Sequence, residues 1–478
     1  MKKFRWQLLI ILITGLVVGL LLLLQQGSTA PEVESTISPI SGGIYTEALV
    51  GNFLRFNPIL DRYNQPDQDV DKLIFSSLVK FDASGFPQPD LAETWSYTSD
   101  GTRFTFSLRQ NAYWHDGTPV TAQDVAFTVS LMKSEHDLIP EDLRKFWSEI
   151  QVDVVSDTVI EFALPEAFAP FLDYLSFQVL PAHLLGNLSV DQLVDHPFNL
   201  APIGSGPYKF SKFLVEEGVV TGVDLVANED FYGGRPYIDE VVFQYYPSEA
   251  EAWEAYQAGE VDGIAAISND ILPEVLAEPT LNLYSSRMPR LSIVFLNLKN
   301  PAKPFLQQAE FRQALMLAIN RQAILDNLLL GQGILANGPI LPGNWAYYPD
   351  LDSYGYDPDS AAQRIAALGI TRNETGVMVT SEGVEVRLVL LVPQDALHQQ
   401  IAEQIKQGWE AVGIAVDLLV EPHDQVVARL EAHDYDAALV DIDLSGTPDP
   451  DPYPFWAQSQ AQEGQNYSQW SNRAASEY

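Results

Sequence analysis

TRFTFSLRQNAYWHDGTPVTAQDVAFT, residues 102–128, sets His115 beside Asp116 and places a second carboxylate, Asp124, eight residues further on. Two readings are open on these residues alone. In one, His115 and Asp116 are a base and its orienting partner, and Asp124 adds a ligand or an acid. In the other the stretch is a piece of fold. Residues 102–109 alternate apolar and polar side chains as a half-buried strand does. Asp116 and Gly117 then turn the chain, because glycine accepts the positive φ that such turns often need. Thr121 caps a helix over 120–133, with Asp124 reaching back as in a capping box. The second reading uses every polar residue of the stretch and is the one carried forward.

Outward from this stretch, DTVIEFAL (157–164) alternates in the same way and reads as another strand. The second half of the chain changes character. AEFRQALMLAINRQAILDNLL (309–329) spaces Phe311, Leu315, Ala318, Ile324 and Leu328 at helical intervals and is predicted as one amphipathic helix. Beyond it, VRLVLLV (386–392), a helix over 402–412, GIAVDLLV (413–420), a helix over 424–432 and DYDAALVDI (434–442) alternate as β-α-β-α-β. That order builds a parallel sheet wrapped by helices, with a crevice at the carboxyl ends of its strands. An α/β lobe therefore follows a strand-rich one. No repeat of fixed period is present, which excludes a solenoid.

The chain has 478 residues, 46 % of them hydrophobic, so two or three domains are expected. Its 64 acidic against 27 basic residues give a formal charge of −37, spread along the chain. Such a surface repels phosphate backbones and anionic lipid, so nucleic acid is excluded as a partner. With no cysteine, thiolate metal sites, cysteine nucleophiles, disulfides and a lipid-modified N-terminal cysteine are all excluded.

Lys2, Lys3 and Arg5 precede an uncharged apolar run from Leu8 to Leu24. The positive end stays in the cytoplasm and the remainder is exported. The run is longer than the core of a signal peptide, about 7 to 15 residues, and reaches the lower limit of a spanning helix, about 17. Residues 1–27 are thus expected to be a retained membrane anchor rather than a cleaved signal sequence, with Ser28 and Ala30 fitting cleavage and Pro31 opposing it. Residues 28–41 read as a flexible tether, small, polar and proline-containing.

Catalytic motifs are missing from the sequence. IGSGPY (203–208) lacks the first glycine of a nucleophile elbow, and neither a P-loop, HExxH nor GxGxxG occurs. The histidines at 115, 136, 183, 196, 398, 423 and 433 show no metal-ligand spacing, and each reads as a surface or cap residue. TPDPDPYPF (447–455) sets Asp449 and Asp451 two apart as a calcium loop does, but lacks that loop's further ligands and is stiffened by prolines. No catalytic residue, metal site or cofactor is predicted.

Taken together, the segments resemble the family 5 extracellular solute-binding proteins, the peptide- and nickel-binding receptors of ABC importers. LAETWSYTSDGTRFTFSLRQNAYWHDGTPVTAQDVAFT (91–128) is similar to that family's signature almost throughout. GSGPYKF (204–210), YQAGEVDGI (256–264), FRQALMLAINRQAI (311–324), GPILPGNWAYYP (338–349), YDPDSAAQRIAALGI (356–370) and GIAVDLL (413–419) follow in the family's order. The likeness covers about residues 42 to 475. It implies an α/β, two-lobe fold of the type II periplasmic-binding-protein kind with an inserted third subdomain. Lobe I would combine 42–60 and 200–285, with 61–199 as the insertion, and lobe II would occupy 286–478. Relatives continue through further helices that return to the first lobe. The expectation is that this C-terminal return segment is missing, the sequence being truncated or the segment lost.

The resemblance implies binding and delivery, with no bond made. Two lobes would close on a peptide or other small solute, holding its main chain as an added strand, and then dock on ABC permease subunits driven by separate ATPases. The protein would sit on the outer face of the cytoplasmic membrane, tethered by the N-terminal helix. Peptide-binding relatives hold the ligand's α-ammonium group with an aspartate four residues before a proline; here Gly446 and Pro448 stand at that offset from Pro450 and Pro452. Asp441 and Asp443 are the candidate substitutes. The expected ligand contacts are Tyr45 and Glu47 at the lobe I entrance, Trp345 beyond the proline-rich stretch, and Asp441, Asp443, Ser445 and Thr447 at the end of the last parallel strand. Two rival classes are a membrane-tethered sensor or adhesion protein with the same fold, and an extracellular hydrolase.

Overall fold

The computed structural model describes residues 39–286, 288–443 and 452–476. The apolar run 8–24, most of the tether, and Ser445 and Thr447 lie outside the described residues. Among the described residues no helix is long and apolar enough to cross a membrane.

The first half is built on a five-stranded sheet in the order Gly263–Ile264, Ile44–Val50, Glu240–Tyr246, Val219–Ala227, Tyr208–Glu216. Its first three strands pair in parallel, and the two remaining pairings, on either side of Val219–Ala227, are antiparallel. The helix Glu249–Ala258 starts at Ser248, whose hydroxyl accepts from the Glu251 N–H, and packs Ala252 and Ala255 on Ala48 of the sheet. Between the first strand and the return at Tyr208 lies a second, antiparallel sheet. Its order is Ala92–Tyr97, Arg103–Leu108, Val159–Ala163, Gln151–Ser156, and the hairpin Val79–Phe81 with Pro87–Pro89 stands beside it. The alternation read at 102–109 puts Phe104, Phe106 and Leu108 inward, against Trp147, Phe162 and Phe171. A single apolar core runs from Leu49 to Phe243 through both sheets.

The second half has its own sheet, in the order Arg290–Leu296, Ala437–Asp443, Arg387–Pro393, Ala415–Glu421. The β-α-β-α-β reading holds, since Arg387–Pro393 is central and parallel to both neighbours. Helix Ala396–Ala411 covers one face through Ile401, Ile405 and Trp409, and His423–Glu431 covers the other through Val426 and Leu430. Burial on both faces is why the central strand reads LVLLV without a polar residue. Arg290–Leu296 is an antiparallel edge strand that the three-strand reading lacks.

Two helix boundaries differ from expectation. The single helix over 309–329 is two helices, Ala309–Leu317 and Arg321–Leu328. Asn320 breaks it, because its side chain accepts from the Ala323 N–H (3.0 Å) and so begins a new helix at the next residue. The helix expected from 402 begins at Ala396, where the Asp395 side chain caps it by accepting from the His398 N–H (2.9 Å).

Candidate functional site

The WHDG stretch is fold. Gly117 has φ +89° and its N–H donates to the Trp114 carbonyl (2.8 Å), closing the expected turn. Thr121 and Asp124 stand as a capping box at the start of helix Ala122–Met132. Asp124 gathers more than the cap, since its buried carboxylate accepts from the Thr121 N–H (2.7 Å), the Thr121 hydroxyl (3.0 Å), the Ala182 N–H (2.7 Å) and the Trp114 indole (3.3 Å). His115 is neither a surface nor a cap residue. Its Nδ1 accepts from the Gly204 N–H (3.2 Å), so the proton sits on Nε2, which donates to the Gly206 carbonyl (3.1 Å). Burial lowers its pKa to about 4, and the bond to Nδ1 likewise requires the neutral ring.

That histidine joins two of the signature stretches, and the glycines of the second are explained by close approach. A Cβ on Gly204 or Gly206 would fall 1.9 or 2.4 Å from a carbonyl oxygen of Ile74 or Leu73, at the end of helix Gln65–Ile74. Ser205 between them is fully buried, which fits backbone packing and not an exposed nucleophile. A cavity of about 750 Å³ opens beside this turn, against Lys209, Asn228 and Arg235. The Arg235 guanidinium there already pairs with Glu229 (2.8 Å) and with Asp239.

At the carboxyl ends of the second sheet the expected acidic residues come together with groups that sequence reading missed. Asp441 faces Ser292 across the two strands, and Asp443 faces Arg290. The Ser292 hydroxyl donates to Asp441. His398, in the first turn of the capped helix, lies between two carboxylates: Nδ1 is 2.8 Å from Asp395 and Nε2 is 3.3 Å from Asp441. Arg290 stands 4.0 Å from the other Asp441 oxygen. The Asp441 pKa is lowered, chiefly by His398, and that of His398 is raised, chiefly by Asp441. Asp441 is thus an ion-paired carboxylate. The signal for His398 was the D-x-x-H spacing directly after an apolar strand, which puts a histidine at a strand's carboxyl end.

Tyr45 and Glu47 share one face of the strand Ile44–Val50. The Tyr45 hydroxyl lies against Gly263, where a Cβ would come within 2.2 Å of it. Burial raises the Tyr45 pKa, helped by Glu47 and Asp262, and burial followed by Asp69 raises that of Glu47. Lys72 pairs with Asp69 (3.0 Å), and among the described residues no lysine pairs with Glu47. Trp345 is 55 % exposed, which removes core packing as its role. Its ring centroid is 6.3 Å from that of Phe86, in the turn of the first half's hairpin. The structure therefore groups Tyr45 with Glu47, Asp441 with Asp443, and sets Trp345 against the other half of the molecule.

Two α/β units with separate cores, the second carrying a polar cluster at its strand ends, define a two-lobe ligand-binding receptor of the type II kind. The model of the bacterial extracellular solute-binding proteins, family 5, matches residues 87–465, and the chain belongs to that family. The oligopeptide-binding protein AppA of Bacillus subtilis is 27 % identical over 458 residues, which are 94 % of this chain and 82 % of AppA. The structure of AppA in complex with a nonapeptide aligns at a TM-score of 0.59 and 26 % identity, over 92 % of this chain and 86 % of that one. HbpA2 from Haemophilus parasuis shares the fold at a TM-score of 0.78 and 22 % identity, over 91 % and 87 % of the two chains.

Proposed function

We propose that this solute-binding protein captures peptides or related small solutes between its two lobes and hands them to the permease of an ABC importer whose ATPases are separate chains. The likeness to AppA along nearly the whole chain, with a nonapeptide bound in that relative, supports the reading most strongly. Residues 42–60 and 200–285 would form lobe I, 61–199 its insertion and 286–478 lobe II; the separate cores support the division near 286, while the proposed lobe I and insertion share one core. Tyr45, Glu47, Trp345, Asp441, Asp443, Ser445 and Thr447 are the proposed ligand contacts. Closure would bring the strand ends of the two lobes onto the solute, main-chain groups bonding an extended peptide and waters filling its side-chain pockets.

The apolar run 8–24 is the proposed anchor on the outer face of the cytoplasmic membrane, and sequencing the mature N-terminus decides whether it is retained. No catalytic step is part of the reading, and the relatives are substrate-binding proteins. Mass spectrometry of material released when the purified protein is denatured tests the function directly. Peptides are expected. Recovery of a single non-peptide solute would replace the peptide reading while keeping the receptor one.

A further inference from the structure

We propose that His398 sets the charge of the lobe II end of the cleft and so decides when Asp441 is open to a cationic ligand group. The inference rests on the reading of the strand ends as ligand wall. It deepens that reading by naming an amine as the group recognised there and His398 as the residue that controls it.

The geometry is a chain of alternating charge: Asp395, His398, Asp441, Arg290, with contacts of 2.8, 3.3 and 4.0 Å. Three separate elements supply it. Asp395 and His398 sit at the start of helix Ala396–Ala411, Asp441 lies two residues before the end of the neighbouring strand Ala437–Asp443, and Arg290 opens the edge strand beside it. The neighbouring helix Arg321–Leu328 carries two charges, neither of which forms an ion pair with the cluster among the described residues. Its Arg321 binds the carbonyls of Ala336 and Tyr354, and its Asp326 accepts from Gln322. Asp443, two residues further along the strand and opposite Arg290, belongs to the same group, so with His398 protonated the five groups sum to −1. With His398 neutral they sum to −2: Asp395 keeps the His398 backbone N–H but no cation among the described contacts, and Asp441 keeps only Arg290, which is more distant, half exposed and opposite Asp443.

A ligand ammonium arriving at Asp441 therefore competes with the imidazolium, and binding it expels the His398 proton. A neutral or acylated ligand does not. Affinity for amine-bearing ligands should rise as pH rises through the His398 titration, by at most about tenfold per pH unit, the limit for one proton released. The preference comes from a residue on the helix end and not from the strand loop that peptide-binding relatives use.

Two measurements on the exported chain test this. In the first, histidine C2–H resonances are followed against pH. His398 is expected to titrate above 6.5 and to fall in Asp441→Asn; titration at or below 6.5, or no response to Asp441→Asn, overturns the proposal. In the second, retention of a random tetrapeptide library with free amino termini is compared with that of the same library N-acetylated, from about pH 5.5 to 7, below the α-amino pKa of about 7.7–8.0 so that the ligand amine stays charged. Preference for the free amines should rise with pH in the wild type, be high and flat in His398→Gln, and be lost in Asp441→Asn. Retention of both libraries with no pH-dependent preference overturns the proposal and leaves the peptide reading intact. Retention of neither library overturns the peptide reading, and the resonance titration alone then decides the role of His398. If His398→Gln fails to fold, Asp441→Asn carries both arms.

Discussion

His115 has both ring nitrogens committed to the loop at 204–206, one as acceptor and one as donor, so a proton added to Nδ1 would face an N–H instead of an acceptor. Its pKa is lowered from 6.5 to about 4. Between those values the unfolded chain holds a proton that the folded chain does not, so stability falls as pH drops through that window, by about 3 kcal/mol in full. Urea unfolding of His115→Gln should show a loss between pH 7 and 4.5 smaller than the wild type's; equal losses would show that the ring is not held neutral. The buried carboxyls Asp61 and Asp71 act with the opposite sign. Burial pushes Asp61 up to about 7, and burial with the neighbouring Asp61 charge lifts Asp71 well above the carboxylate range. The folded state therefore holds protons that the unfolded state releases above about pH 4, and stability declines as pH rises toward 7 and beyond. Asp71→Asn should raise Tm at pH 7.5 and raise it less at pH 4.5. A lower Tm at both would mean that the carboxylate is stabilising after all.

The helix Ala122–Met132 and its cap were legible in the sequence because every rule they obey is local: a glycine for the turn, a threonine and an aspartate three apart, an apolar stripe. Thr121→Ala should cost about 0.5–2 kcal/mol, with retention of peptides unchanged. Asp124→Ala should cost more, since it strands the Thr121 and Ala182 N–H groups and the Trp114 indole together, at about 1–3 kcal/mol for each buried group left unpaired. A cost for Asp124→Ala no greater than for Thr121→Ala would reduce the carboxylate to a simple cap. The parallel strands were legible for a similar reason, their apolar runs alternating with helical periods. The edge strand Arg290–Leu296 was not. Its pairing is with residues about 150 positions later, as Ser292 with Asp441, and a single alternating run carries no mark of so distant a partner. The split of 309–329 was missed because the apolar spacing continues across Asn320 while the cap interrupts the backbone. The acidic half of the candidate site could be placed from strand ends alone. The basic half, His398 and Arg290, belongs to other elements and appears only when the sheet brings them together.

Across the whole molecule the two lobes keep separate cores, and the ring pair Phe86–Trp345 is a contact that spans them. Trp345 is more than half exposed, so its contribution to the stability of lobe II is small, and its contact with Phe86 exists only when the hairpin turn and the loop around 345 are close. A ligand shifts an open–closed equilibrium only through interactions that differ between the two states, and a ring contact made only on closure would be such a difference. Phe86→Ala and Trp345→Ala should each leave Tm nearly unchanged and weaken retention of the free-amine tetrapeptide library. In the double variant the losses should fall short of their sum by about 0.5–1.5 kcal/mol, the usual worth of an aromatic pair. Additive losses would assign Trp345 to direct contact with the peptide, independent of Phe86. Unchanged retention in both single variants would remove this ring pair from closure and leave Asp441, Asp443, Ser445 and Thr447 as the proposed lobe II contacts.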